Sequence, residues 1–343
     1  MFLPGKPIVG GSEAKQFEFP FAVHVDIYPD PETHHICGGA LISQQHVLTA
    51  GHCVYHIVNM AERGDDKQKQ EQQQAEKIDS KSTQISVNSV IKVGYGDTMV
   101  QSFQKLTSDS FTLHPLYNPA TLENDIAVLH LPEPVQVNLK VAPIPVYTGS
   151  IQAGSEMTII GWGTTSNDDG ARTSQSLYDA TIKVPDNGQC QKHFGFGPIQ
   201  NWNAPPDDRL ICTGPLEEGK DACYGDSGGP LVMKMNQNGK EEYVLTGLTS
   251  FGNRLNGEFH PKCGMSDGFG FYTRVGAYTD FIRSATKLSA TQLSRPMNYI
   301  QPAAAKSSAI SLIHSTNGLN NVLLTPLSAA ILFWFIFSKF LSN

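Results

Sequence analysis

The sequence predicts an all-β fold that closes with one short helix. Two segments carry this expectation: TQISVNSVIKVGYG (83–96) and EEYVLTGLTSFG (241–252) alternate apolar and polar residues with the period of a half-buried strand. The third observation is punctuation, since 31 glycines and 21 prolines among 343 residues supply turns between short strands. With 40% hydrophobic and 17% charged residues, the chain can bury a globular core.

The segments follow in chain order. Residues 1–7 (MFLPGKP) hold no apolar stretch of signal-peptide length and read as a propeptide remnant. Residues 8–287 carry the strand pattern and form the main domain. Within it, 61–82 has five glutamines, charges of both signs and Ile78 as its only large aliphatic, so it reads as a mobile surface insertion. In GAYTDFIRSATKL (276–288), Ala277, Phe281, Ile282, Ala285 and Leu288 suit one face of a helix. Residues 288–321, rich in Ser, Ala, Pro and Asn, have the composition of a linker. The apolar stretch 322–341 matches the roughly 20 residues needed to cross a bilayer. It reads as membrane attachment, either a single span or a glycolipid-anchor signal, with small Ser307, Ser308 and Ala309 upstream.

Net charge and cysteines narrow the compartment and the partners. A net charge of −7 without a long basic run offers no footprint for nucleic acid. Six cysteines, none in a C-x-x-C pair, predict disulfides and an oxidising, extracellular setting, although the sequence alone leaves 15 connectivities open.

One stretch, GKDACYGDSGGP (219–230), raises the question of chemistry. A serine hydroxyl becomes a nucleophile only with a base, a group that orients the base, and donors for the oxyanion that forms. VLTAGHCV offers His52 at a strand end, and LENDIAVLHL offers Asp125 just before an apolar strand. Gly225, Gly228 and Gly229 permit a tight turn that exposes Ser227 and aims the amides of Gly225 and Ser227 at one spot. The same stretch matches the G-x-S-x-G elbow of α/β-hydrolases, but there the acid and the histidine follow the serine. Here only His260 and His314 follow Ser227, and no alternation of helices and parallel strands surrounds it.

Several motifs in one order identify the chain, over residues 8 to about 287, as a member of the trypsin-like serine proteases of the chymotrypsin family. They are IVGG (8–11), CGGALIS (37–43), TAGHC (49–53), HPLYNPATLENDIAVLHL (114–131), GWG (161–163), GDSGGP (225–230) and GFYTRV (270–275). The resemblance implies two six-stranded antiparallel β-barrels with the site between them. It implies His52 as general base, Asp125 as its orienting partner, Ser227 as nucleophile, and Ser250 as a hydrogen-bond donor to the acid. It also implies the disulfides Cys37–Cys53, Cys190–Cys212 and Cys223–Cys263.

By the same resemblance, Asp221 lies at the base of the pocket for the side chain before the cut bond, with Gly252 and Gly270 as its walls. A carboxylate in a narrow dry slot favours Lys or Arg, because an uncharged guest would leave it unpaired. The expected partners are therefore protein or peptide substrates with Lys or Arg before the scissile bond, together with protein inhibitors. The loop at 253–262 and the insertion at 61–82 are expected to screen macromolecular partners. The family activates when a freed N-terminal Ile pairs with the acid before the nucleophile, which here means Ile8 with Asp226. Pro7 precedes Ile8, so a protease that cuts after Lys or Arg is not the expected activator. The alternative is a catalytically silent homologue acting as a binding module; such members usually lose a triad residue or a pocket glycine, and none is lost here. No cofactor or metal is expected: His52 and His56 lie four apart but lack the glutamate of an H-E-x-x-H pair, and His34 and His35 read as ordinary strand or loop residues.

Overall fold

The structure, a computed structural model, describes residues 8–65, 83–85, 89–164, 172–185, 209–214, 219–237, 239–254 and 262–295. Alternation builds the strands. In β2 (Ala22–Tyr28), which follows the two-residue β1 (Ser12–Glu13), Val23, Val25 and Ile27 point into one core. The first half continues with β3 (His35–Leu41), β4 (His46–Thr49), helix α1 (Gly51–Asp65) and β5 (Thr83–Gln84). It is completed by β6 (Val90–Tyr95), β7 (Gln104–Ser108), β8 (Ser110–Leu113) and β9 (Ala127–His130).

These strands form one antiparallel sheet in the order β5-β8-β9-β4-β3-β2-β6-β7. Only Asp109 separates β7 from β8, so the two ends of the sheet are covalently continuous and the sheet curls into a barrel. The Ser108 hydroxyl marks the corner, lying 2.9 Å and 2.7 Å from the carbonyls of Ser110 and His130 that accept from it. Counting β7 and β8 as one bent strand and setting aside the two-residue β5 gives the six expected strands.

The second half comprises β10 (Glu156–Gly161), β11 (Tyr178–Lys183), β12 (Leu210–Thr213), β13 (Pro230–Gln237), β14 (Lys240–Arg254) and β15 (Gly268–Arg274). They pair in the order β1-β11-β10-β13-β14-β15-β12, six strands with β1 added at one edge. Val23, Val25, Leu41, Val47 and Phe111 fill the first core, and Met157, Ile159, Leu231 and Tyr272 fill the second. A third cluster joins residues of both halves, among them Phe21, Leu48, Trp162, Val232 and Leu245.

The helices depart from the sequence boundaries at two places. Helix α1 runs to Asp65, so the first five residues of the 61–82 insertion continue it, while 66–82 lie outside the described residues. Helix α2 (Thr279–Thr286) buries Ile282 and lays Phe281, Ala285 and Leu288 against the joint cluster as the periodicity requires, whereas Ala277 is exposed in the preceding turn. The packed chain then runs past residue 287. Ser289 and Gln292 form a capping box for α3 (Ala290–Ser294), Leu293 is buried, and the Leu293 carbonyl accepts from the Val146 amide at 2.8 Å. Leu293→Ala should therefore cost about 2–5 kcal/mol, read as a lower denaturant midpoint at unchanged slope. An unchanged midpoint would show that Leu293 contributes nothing to the core.

Cys37–Cys53 and Cys223–Cys263 are disulfides, and Cys212 is also disulfide-bonded. Its expected partner, Cys190, lies outside the described residues, as do the linker from 296 onward and the apolar stretch at 322–341. Among the described residues no helix is long and apolar enough to cross a membrane.

Candidate active site

Strand β4 ends at Thr49 and α1 starts two residues later, which places His52 in the first helical turn at the mouth of the first barrel. Asp125 sits just before β9 and holds His52 twice. Its Oδ1 accepts from the His52 amide at 2.8 Å, and its Oδ2 lies 2.8 Å from His52 Nδ1. An ionised carboxylate only accepts, so Nδ1 carries the proton and the Nε2 lone pair is left for other work. The second half contributes two further bonds: Ser250 Oγ donates to Asp125 Oδ2 at 2.5 Å, and Thr273 Oγ1 donates to the Asp125 carbonyl at 2.8 Å.

Burial alone would discourage charge on both partners. For His52, burial pushes the pKa down, but the charge and hydrogen bond of Asp125 outweigh it and leave the imidazole above its ordinary value. Asp125, 1% exposed, is pushed up by burial and pulled further down by His52, Ser250 and the backbone amide, so it remains ionised.

Sequence reasoning missed what aims Asp125. Leu122 and Asn124 occupy left-handed backbone conformations, with φ of 56° and 57°. The Asn124 amide nitrogen donates to the Leu116 carbonyl at 2.7 Å, and its oxygen accepts from Arg209 and Tyr278 at 3.3 Å each. Two groups from the second half thus brace a bent loop in the first. The available signal was Asn before Asp, since asparagine tolerates this conformation better than other residues with a β-carbon.

Ser227 stands on the glycine-bounded turn that the sequence suggested. The Gly228 amide donates to Thr249 at 2.7 Å, Gly229 to Asp226 at 2.8 Å, and Gly38 to the Ser227 carbonyl at 2.8 Å. Gly228 has φ of 74°, and a β-carbon there would lie 2.2 Å from Thr49 Oγ1, so no larger residue fits. Gly225 has φ of 94°. Among the described residues, the amides of Gly225 and Ser227 donate to no protein acceptor, and no hydrogen bond joins Ser227 to His52.

His52 and Ser227 line one cavity of about 440 Å³ together with Asp221, Gly252 and Gly270. Gly252 and Gly270 face each other in register across β14 and β15. Asp221 Oδ2 accepts from the Gly264 amide at 3.0 Å. Burial pushes this carboxyl up to about 7, against the pull of the Gly264 bond, and the nearby Asp226 adds to the rise.

Asp226 is 1% exposed, and its oxygens accept from Gly163 at 2.7 Å and Cys223 at 2.8 Å. Burial pushes it up to about 7 in spite of those bonds. Ile8 is fully buried near Met157, Ile159 and Leu231, and the Val9 carbonyl accepts from the Asp221 amide at 3.1 Å. No hydrogen bond between Ile8 and Asp226 is present among the described residues. Side-chain atoms of Cys37, His52 and Cys53 lie within 4.8 Å of one another, but both sulfurs are spent in a disulfide and offer no thiolate to a metal.

Two antiparallel barrels with a buried carboxylate bonded to an imidazole and a half-buried serine on one cleft define the class of double-barrel serine proteases. The family model described as Trypsin matches residues 8–100 and 82–282. The chain is 30% identical over 277 residues to Trypsin-1 of Astacus astacus, which covers 81% of this chain and 99% of that one. It is 30% identical over 289 residues to Trypsin of Phaedon cochleariae, covering 83% and 90%. Identity to Transmembrane protease serine 11C of Mus musculus is 27% over 286 residues, covering 83% of this chain and 54% of that one. The chain belongs to the trypsin family.

Proposed function

We propose that the protein is a serine endopeptidase that cuts after Lys or Arg. The observation that carries the reading is the run of hydrogen bonds Ser250–Asp125–His52 ending on the cavity that also holds Ser227 and Asp221. Ser227 Oγ attacks the scissile carbonyl carbon and gives its proton to His52 Nε2. The amides of Gly225 and Ser227 receive the oxyanion, His52 returns the proton to the leaving amine, and water releases the acyl group by the same route in reverse. Asp221 holds the cationic side chain between Gly252 and Gly270. The test is digestion of a random peptide mixture by protein beginning at Ile8, with the new C-termini sequenced. Cleavage confined to Lys and Arg upholds the specificity, and cuts after other residues overturn it.

Ile8 and Asp226 form the activation pair in this reading, with an unidentified protease cutting after Pro7. The disulfides and the family support an extracellular location in this reading, in which 322–341 would hold the chain at the cell surface.

The buried Asp226 gives the activation step a pH signature. Its folded pKa of about 7 stands above an unfolded value of roughly 4. The folded state therefore binds the extra proton between these values, and the stability it brings is complete below about pH 4 and lost as pH rises through about 7. A free Ile8 ammonium would pair with the ionised carboxylate and remove that loss. Calorimetry should find the form cut before Ile8 melting above the uncut form, by a gap that widens from about pH 5 to pH 7.5. A gap of equal size at both would sink the pairing.

A further inference from the structure

Building on the peptidase reading, we propose that Tyr278, the residue before α2, is a positioning residue for Asp125. It acts through Asn124, so that the docking of α2 sets how well His52 serves as a base. Tyr278 does not line the cleft cavity, and its reach to the acid is indirect.

The path starts at the acid. Asp125 sits at the point of a tight turn, where the Ile126 amide donates to the Asn124 carbonyl at 2.8 Å, so the aim of the carboxylate follows the conformation of Asn124. That conformation is left-handed, with φ of 57°, and a residue with a β-carbon holds it only when its surroundings impose it. The side chain of Asn124 supplies the restraint. Its nitrogen donates to the Leu116 carbonyl at 2.7 Å, and its oxygen accepts from the Tyr278 hydroxyl and from Arg209 at 3.3 Å each. Tyr278 is buried, so its hydroxyl meets Asn124 away from bulk water.

His114 seats the tyrosine and ties it to the same turn. Its amide donates to the Ile126 carbonyl at 3.1 Å, on the far side of Asp125 from Asn124. Its ring meets Tyr278 edge to face, 5.3 Å between centroids at 84°, and lies 4.8 Å from Phe281 in α2. Nδ1 of His114 accepts from the Leu116 amide at 3.2 Å, so Leu116 holds the imidazole with its amide and Asn124 with its carbonyl. Burial pushes the His114 pKa down to about 4, and the Arg209 guanidinium adds to the fall, which keeps the ring neutral and Nδ1 able to accept. Asn124, Asp125 and Ile126 are thus gripped from both sides by groups that meet at Tyr278. The helix itself has separate anchors in Ile282 and, beyond its end, Leu293, so loss of one hydroxyl leaves it docked. Asp125 must meet the His52 amide, His52 Nδ1 and Ser250 at once, which leaves its direction little tolerance.

The test measures kcat and KM for peptide hydrolysis by protein beginning at Ile8, comparing the wild type with Tyr278→Phe, Asn124→Gly and the double variant. Phenylalanine keeps the ring on His114 and removes only the bond to Asn124, and glycine keeps the left-handed backbone. Tyr278→Phe is expected to lower kcat about tenfold with KM and melting temperature nearly unchanged. The acid limb of kcat/KM should also move to lower pH, because a worse-placed Asp125 raises His52 less. In the Asn124→Gly background the same substitution should change nothing, since its partner is gone. An unchanged kcat and acid limb, or effects of the two substitutions that simply multiply, overturns the coupling. A fall in kcat that tracks a fall in melting temperature, with the acid limb in place, assigns Tyr278 to stability alone and overturns it too. A second arm needs no turnover. The Nδ1 proton of His52, bonded to Asp125, is followed by proton NMR as a downfield resonance that His52→Ala removes. In Tyr278→Phe it is expected to move upfield and exchange faster with water, and an unmoved resonance overturns the brace. A protein without peptidase activity would fail the function and leave this second arm readable.

Discussion

Ser227→Ala is expected to lower kcat for a peptide with Arg before the scissile bond by about a millionfold, with little change in melting temperature. The magnitude follows from what remains. Without Oγ no acyl-enzyme forms, and the amides of Gly225 and Ser227 can only assist direct attack by water. Stability is spared because Ser227 is held through its backbone, by the bond from Gly38 to its carbonyl. Asp125→Asn is expected to cost about 10⁴-fold in kcat, because an amide can stabilise the tautomer with the proton on the wrong nitrogen. It also removes the charge that raises His52, so the acid limb of kcat/KM, where the base protonates, moves to lower pH. Retention of more than about 1% of activity by Ser227→Ala would remove the serine from the mechanism.

Asp221→Ser is expected to abolish the proposed preference for Lys and Arg. Truncating one partner of a desolvated charge pair costs about 2–5 kcal/mol, which is roughly 30-fold to several thousandfold in kcat/KM for the basic substrate. Substrates with an uncharged residue at that position should lose little, since the serine leaves no buried charge unpaired. The folded pKa of Asp221 adds a second readout. A guanidinium or amidinium ligand binds the ionised carboxylate, so its affinity should weaken as pH falls below about 7, with proton uptake on release. Titration of a small amidinium inhibitor between about pH 5 and 8 measures it. A flat affinity across that range, together with unchanged selectivity in Asp221→Ser, would place the selecting charge elsewhere.

Local features of the chain survived folding with little revision. Period-two alternation marked β6 and β14, and the helical face of Phe281, Ile282 and Ala285 was recovered in α2, with Leu288 packed just beyond its end. The differences arose where a boundary depends on contacts distant in sequence. Ser289 to Ser294 reads as the start of a linker, yet it is packed because Leu293 finds the joint core and bonds Val146, 147 residues earlier (293 minus 146). The bracing of Asn124 by Arg209 and Tyr278 and the meeting of His114 with Phe281 are of the same kind.

The sequence by itself determined the two-barrel class, the residue types available for chemistry and their order along the chain. These rest on short-range rules: side-chain period, glycine at positive φ, and motifs that are contiguous in sequence. Only the tertiary structure decided how Asp125 is held, that Asp221 and Ser227 open on one cavity, and that His114 meets α2. Those outcomes depend on two sheets packing against each other, and the distances that packing creates between remote residues are not encoded in any local stretch.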